Sequence, residues 1–222
     1  MITLHHLNNS RSQRILWLLE ELGLAYQVRR HERDPRTSLA PESLKAVHPL
    51  GKSPVIEDDG RVIAESGAIV DYLARKDDTR SLLVEEQDPL FPDWTFWMHY
   101  AEGSMMPPLV MRLVFEKVKT GPMPFFARPI ARGIADKTHK VFLGPLIRSH
   151  LDFVEDHLAR NDWFVGDRLT TADILMSFPL EAAVAAGVAG KRYPNICNYV
   201  EKYQSRTAYQ RGLEVGGPYD FA

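Results

Sequence analysis

Cysteine is almost missing from this chain: Cys197 is the only one in 222 residues. A single chain therefore forms neither a disulfide framework nor a C-x-x-C redox pair, and a reducing, cytoplasmic compartment is expected. Long apolar runs are missing too. Nothing approaches the ~20 residues that a membrane-spanning helix needs, and Met-Ile-Thr-Leu-His-His has no basic stretch leading into an apolar one, as a signal peptide would. No membrane partner is expected. Charge of one sign is not in excess: 27 basic and 29 acidic side chains give a net charge of −2. Without a basic stripe there is nothing to track a phosphate backbone, so no nucleic-acid partner is expected. The 8 histidines show neither H-E-x-x-H nor i, i+4 spacing, so no metal site is expected. G-x-S-x-G and the dinucleotide-binding glycine fingerprint are absent. Gly51-Lys52-Ser53 looks like the end of a phosphate-binding loop. That motif needs a glycine where Ala46 stands and a helix where a strand follows.

What is present is ordinary globular material, 45% hydrophobic and 25% charged. The length exceeds a typical domain of about 100–150 residues, which suggests two units. Ile2–Leu7 reads as a strand ending at Asn8-Asn9-Ser10. Ile15, Leu18, Leu19 and Leu22 recur at helical spacing, and Gly23 ends the run where a C-cap glycine belongs. A second strand starts at Tyr26, which makes a parallel βαβ unit. A short helical stretch near Glu42–Val47 follows. Two strands then flank Asp59-Gly60, a strong hairpin signal, and a helix begins near Ser66 with Ile69, Tyr72 and Leu73 on one face. The first third is thus βαβ–α–ββα. Residues 77–92 read as a linker, leaving 1–76 and 93–222 as the two units. Beyond the linker strand signals vanish, and helices are expected over about 93–118, 127–160, 171–187 and 193–211. Pro107-Pro108 and Pro122/Pro124 should interrupt or end the first, and Pro145 should kink the second. The second unit reads as an all-α helical bundle.

Three places carry possible chemistry. Ser10 stands where the first strand turns into the first helix, with Gln13 three residues on; the plain reading is a capping box. A helix N-terminus with a hydroxyl donor also favours an anion, including a thiolate, and Arg11 adds positive charge beside it. A free thiol has a pKa near ~8.5, so lowering it by ~2 units needs about 2.7 kcal/mol. Hydrogen bonds to a charged acceptor, at ~1.5–3 kcal/mol each, are of that size. Pro54 opens a strand without an N–H for the ladder, so it is either an edge proline or a cis peptide presenting the backbone of Val55. Glu65-Ser66 precedes a helix, where serine is a good N-cap and a carboxylate beside free amides would clamp an amino acid's ammonium and carboxylate. Thr170-x-x-Asp173 is a capping box with a purely structural role.

Taken together these segments resemble the cytosolic glutathione S-transferase family over essentially the whole chain. The resemblance rests on the serine turn into Gln13-Arg14-Ile15-Leu16-Trp17-Leu18-Leu19-Glu20-Glu21-Leu22, on His48-Pro-Leu-Gly-Lys-Ser-Pro-Val55, and on Glu65-Ser66-Gly-Ala-Ile69. Gly166-Asp-Arg-Leu-Thr-Thr-Ala-Asp173 and Tyr193-Pro-Asn add to it. It is most similar to a serine-type bacterial and fungal subgroup. The resemblance implies an α/β thioredoxin-like first domain that binds glutathione and an all-helical second domain that completes the site for an electrophile. It further implies that Pro54 is cis and that Val55 bonds the cysteinyl backbone. Glu65 and Ser66 would hold the γ-glutamyl group, with Lys52 near the glycine carboxylate and Ser53 beside it. Ser10, with Arg11, would activate the thiol, although Ser12 and Asn8 stand close enough to share the role. No tyrosine lies at the end of the first strand, which argues against a tyrosine-type mechanism. Tyr100, Met105 and Met106, beside the proline break, are candidates for lining the electrophile pocket, since methionine suits an adaptable site. Glu102 is a candidate to reach the glutathione amine of a second subunit, and a homodimer is implied. The expected reaction is conjugation. Glutathione-dependent disulfide or peroxide reduction, or a non-catalytic binding or regulatory role on the same fold, are the alternatives.

Overall fold

The computed structural model describes all 222 residues except Pro35 and Ser38. The first unit runs β1 (Ile2–Leu7), α1 (Gln13–Leu22), β2 (Tyr26–His31), α2 (Glu42–Lys45), β3 (Val55–Asp58), β4 (Arg61–Ala64) and α3 (Ser66–Lys76). This is the βαβ–α–ββα order expected. The sheet order is β2-β1-β3-β4, with β1 and β2 parallel and the other pairs antiparallel. The Asp59-Gly60 hairpin forms with both residues at positive φ, as a primed two-residue turn demands. β1 is central and buried almost throughout, so its apolar and polar residues alike face protein.

Helix α1 buries Gln13 through Leu19 without a break. It is covered on more than one side, packing against α3 of its own unit and against helix Thr171–Ala185 and the C-terminal helix of the other, with Glu20 and Glu21 left at its partly exposed end. Trp17 stacks on Tyr203 at 5.1 Å and meets Tyr209 edge-on at 5.6 Å. The close approach depends on two glycines four residues apart. A Cβ on Gly212 would lie 3.1 Å from the Trp17 nitrogen, and one on Gly216 would lie 2.5 Å from the Gln13 side chain.

The second unit is helical: α4 (Phe91–Tyr100), α5 (Met106–Thr120), α6 (Arg128–Thr138), α7 (Gly144–Leu158), α8 (Thr171–Ala185), α9 (Pro194–Gln204) and α10 (Thr207–Gly216). Pro107-Pro108 does not end the first stretch. It falls in the first turn of α5, where missing N–H groups cost little, and a π-helical turn, Ala101–Met105, joins α4 to α5. A second π-helical turn, His139–Leu143, precedes α7 and takes up Pro145 in the same way. The single helix expected over 193–211 is two, because Ser205 caps α9 by donating to the Lys202 carbonyl at 2.8 Å and Arg206 is extended. Helix α4 begins at Phe91, two residues before the sequence-based boundary, so the connection after α3 spans 77–90. Helix α8 is the buried axis of this unit. Among the described residues, no helix is long and apolar enough to cross a membrane.

Candidate active site

The turn between β1 and α1 holds a chain of buried hydroxyls. Ser10 is 3% exposed and Ser12 is fully buried. Helix α1 begins two residues later than Ser10 as N-cap would require. The capping box does not form: Ser10 Oγ accepts the Ser12 N–H at 3.2 Å, and the Gln13 side-chain amide makes no hydrogen bond among the described residues. The Ser10 and Ser12 oxygens are 2.8 Å apart, and Ser12 Oγ lies 2.9 Å from His6 Nδ1. Burial, reinforced by Arg30, pushes His6 down to about 4, against a hydrogen bond to the Gly216 carbonyl. His6 is therefore neutral at pH 7, with the proton on the nitrogen facing Gly216 and Nδ1 free to accept. The Ser12 proton then goes inward, to His6 or to the Leu7 carbonyl 3.2 Å away. Asn8 Oδ1 takes the Arg33 N–H at 2.9 Å. Of the two serines, Ser10 is then the one whose proton is not drawn inward, and the Asn8 side-chain nitrogen is the other donor at this turn.

The buried His6 makes stability depend on pH. Its folded pKa of about 4 lies below the unfolded 6.5, so the unfolded chain takes up the proton first. The contribution is complete above pH 6.5 and disappears as pH falls towards 4, a loss of about 3 kcal/mol. Denaturant unfolding at pH 7 and pH 4.5 should show this loss in the unmodified protein and a clearly smaller one in His6→Gln. Equal losses would remove His6 from the account.

Next to the turn a cleft of about 260 Å³ opens between the two units. Lys52, Ser53 and Pro54 form one wall, Glu65 and Ser66 another, and Arg11 and Glu102 close the helical side. The Ser53–Pro54 peptide is cis. Glu65 sits at φ +71, where side-chain-bearing residues are uncommon, at the N-cap of α3. Such backbone outliers concentrate at functional sites. Ser66 is buried in the first turn of α3. The cleft thus combines the N-terminal amides of α3, a carboxylate, a lysine and the backbone that leads into β3. A larger cavity of about 360 Å³ lies wholly in the helical unit between α7 and residues 187–193 and contains none of these groups.

Glu102 ties the units together. It accepts from Arg11 Nε at 3.2 and 3.1 Å and from Arg14, whose other amino group donates to the Leu175 carbonyl at 2.6 Å. Burial raises its carboxyl, and Arg14 and Arg11 more than reverse that, so it stays below the usual carboxylate range. Phe178 lies under both guanidinium groups, at 5.4 and 5.9 Å.

Several expected site residues fall elsewhere. Val55 is fully buried inside the sheet, paired with His5 on one side and Ala64 on the other. Ser53, not Val55, is the residue on the cleft. Tyr100, Met105 and Met106 are 8%, 1% and 5% exposed and pack in the helical core, with the Tyr100 hydroxyl 2.6 Å from His150 Nδ1. Tyr100 packs against His150 and Phe153 of α7. Glu102, expected to reach the glutathione amine of a second subunit, lines the cleft of its own chain. His48 and Leu50 also line the cleft and were not singled out; their place in the His48–Val55 segment was the available signal.

Comparison with known proteins agrees with this architecture. The model of the glutathione S-transferase N-terminal domain matches residues 10–76, and that of the glutathione S-transferase C-terminal domain matches residues 135–207. The chain belongs to the glutathione S-transferase family. It is 35% identical to glutathione S-transferase 1 of Saccharomyces cerevisiae, over 96% of this chain and 94% of that protein. It is 37% identical to glutathione S-transferase 3 of Schizosaccharomyces pombe, over 96% and 87%. A solved glutathione S-transferase from Actinobacillus pleuropneumoniae, 34% identical, superposes with a TM-score of 0.82, covering 100% of this chain and 95% of that one.

Proposed function

We propose that this protein is a glutathione transferase that binds glutathione in the cleft and activates its thiol for attack on a small hydrophobic electrophile. The observation that carries the reading is the convergence on one cleft of Lys52 and Ser53, Glu65 at positive φ and Ser66 at the α3 N-terminus. The γ-glutamyl carboxylate meets the free amides of α3 and the Ser66 hydroxyl, which the helix dipole favours. Its ammonium pairs with Glu65. Lys52 meets the glycine carboxylate, and the cysteinyl backbone runs beside Ser53. The sulfur then points to the turn, where Ser10 donates to the thiolate. Arg11 adds positive potential, but Glu102 neutralises part of it. The glutathione-binding unit is taken as residues 1–76 and the helical unit as beginning with α4 at Phe91, joined by 77–90. A cytoplasmic location is part of the same proposal, supported by a single cysteine that leaves no disulfide within one chain.

Calorimetry tests the ligand assignment. Replacing Glu65 and Ser66 together by alanine removes one charge-assisted pair and one hydroxyl, and glutathione binding should fall by about 100-fold or more. Affinity like that of the unmodified protein would sink the assignment.

A homodimer is proposed as well. Phe96 on α4 and Phe153 on α7 are 47% and 45% exposed with ring centroids 6.0 Å apart, an apolar face suited to a second copy. Sedimentation at micromolar concentration should give twice the mass of one chain; the mass of one chain would contradict it.

A further inference from the structure

The residues after α10 double back across the molecule to the β1–α1 turn. The Tyr219 hydroxyl donates to buried Glu181 at 2.6 Å, beside the Tyr209 hydroxyl at 2.8 Å. Phe221 meets Phe178 edge-on at 5.7 Å. Between them Asp220 exchanges two hydrogen bonds with Asn9: Asn9 Nδ2 donates to Asp220 Oδ2 at 2.7 Å, and the Asp220 N–H donates to Asn9 Oδ1 at 2.9 Å. Asn9 is at φ +49, a conformation that surrounding contacts must hold. Arg11, on the other side of Ser10, lies over Phe178. The tail therefore grips both neighbours of Ser10, Asn9 directly and Arg11 through Phe178.

We propose that Asp220 is a positioning residue for the thiol-activating turn, and that Tyr219–Phe221 forms a strap that holds the turn in register. The proposal rests on the reading of Ser10 given above. Its physical basis is preorganisation. A hydroxyl must be aligned with the sulfur when the charge forms, and a misplacement of about 1 Å is enough to cost rate. Asp220 is exposed, and its side-chain bond alone would be weak in water. The half-buried Tyr219 and Phe221 on either side, anchored on Glu181 and Phe178, hold it in place, so little ordering remains to be done when the bond forms.

The test uses the full chain carrying Asp220→Ala, and Asp220→Asn, which keeps an oxygen for Asn9. In Asp220→Ala, kcat at neutral pH should fall about fivefold, the size of one partly screened charge-assisted hydrogen bond. The pKa of the bound thiol should rise, while KM for glutathione and Tm stay unchanged. Asp220→Asn should restore kcat. A readout independent of activity is amide hydrogen exchange at residues 9–12 in the unliganded protein, which should quicken in Asp220→Ala and not in Asp220→Asn. Unchanged exchange overturns the proposal. Faster exchange with kcat unchanged overturns the positioning role, and if Ser10→Ala is equally without effect it is the reading of Ser10 that has failed.

Discussion

Ser10→Ala is expected to reduce turnover at neutral pH by ~10–100-fold while glutathione affinity changes little. The substitution removes one hydrogen bond to a charged acceptor, worth ~1.5–3 kcal/mol, which raises the bound thiol's pKa by about 1–2 units. The hydroxyl network favours Ser10 over Ser12. The Ser12 proton is committed inward to His6 or the Leu7 carbonyl, whereas Asn8 gives only its side-chain oxygen to Arg33 and keeps its amide N–H groups as the competing donor. If Ser10 served only the fold, its loss would cost stability and leave kcat alone. Steady-state kinetics with an aryl halide, at fixed saturating glutathione, separate the two. A full-rate Ser10→Ala enzyme beside a slow Ser12→Ala or Asn8→Ala enzyme would move the role to that neighbour. A disulfide or hydroperoxide turned over far faster than the aryl halide would move the reaction instead.

Asp173→Ala should be the most damaging single change to the fold. The Asp173 carboxylate is buried and accepts from the Thr170 N–H at 2.7 Å, the Thr170 hydroxyl at 2.9 Å, the Phe164 N–H at 2.8 Å and the Tyr199 hydroxyl at 2.6 Å. Burial raises its carboxyl above the usual range in spite of these donors. Truncation strands all four in the core and costs ~3–5 kcal/mol out of a total of ~5–15 kcal/mol. It also releases Phe164, which packs against Trp97 at 4.6 Å and Tyr199 at 5.2 Å. For a chain of this size, a drop in Tm of about 10 °C is expected. A thermal scan showing Asp173→Ala within ~2 °C of the unmodified protein, at one buried network of this kind, would mean that the four donors find other acceptors.

The sheet unit was legible because its signals are local. Short strands stopped by turn residues, the Asp59-Gly60 hairpin and Gly23, which lies at φ +61, each declare themselves within a few residues. The capping box at Thr170 was legible for the same reason. What the sequence concealed depends on packing between distant segments. Gln13 looked like a capping partner for Ser10, but α10 presses on it and the helix starts later. The prolines at 107, 108 and 145 looked like breaks, because a π-helical turn leaves no sequence mark of its own. Tyr100, Met105 and Met106 looked like pocket material, yet whether such side chains face a cleft or a core depends on helix rotation. Val55 was assigned the backbone contact, yet it lies buried within the sheet and it is Ser53 that lines the cleft. The hold of Asp220 on Asn9 spans 211 residues and could not be read from spacing at all.

The account depends most on whether this protein makes a thiolate of bound glutathione. Ultraviolet titration of the thiolate absorbance in the glutathione complex measures that directly. The account predicts a thiol pKa about 2 units below the free value of ~8.5. A bound thiol that titrates at the free value would contradict it.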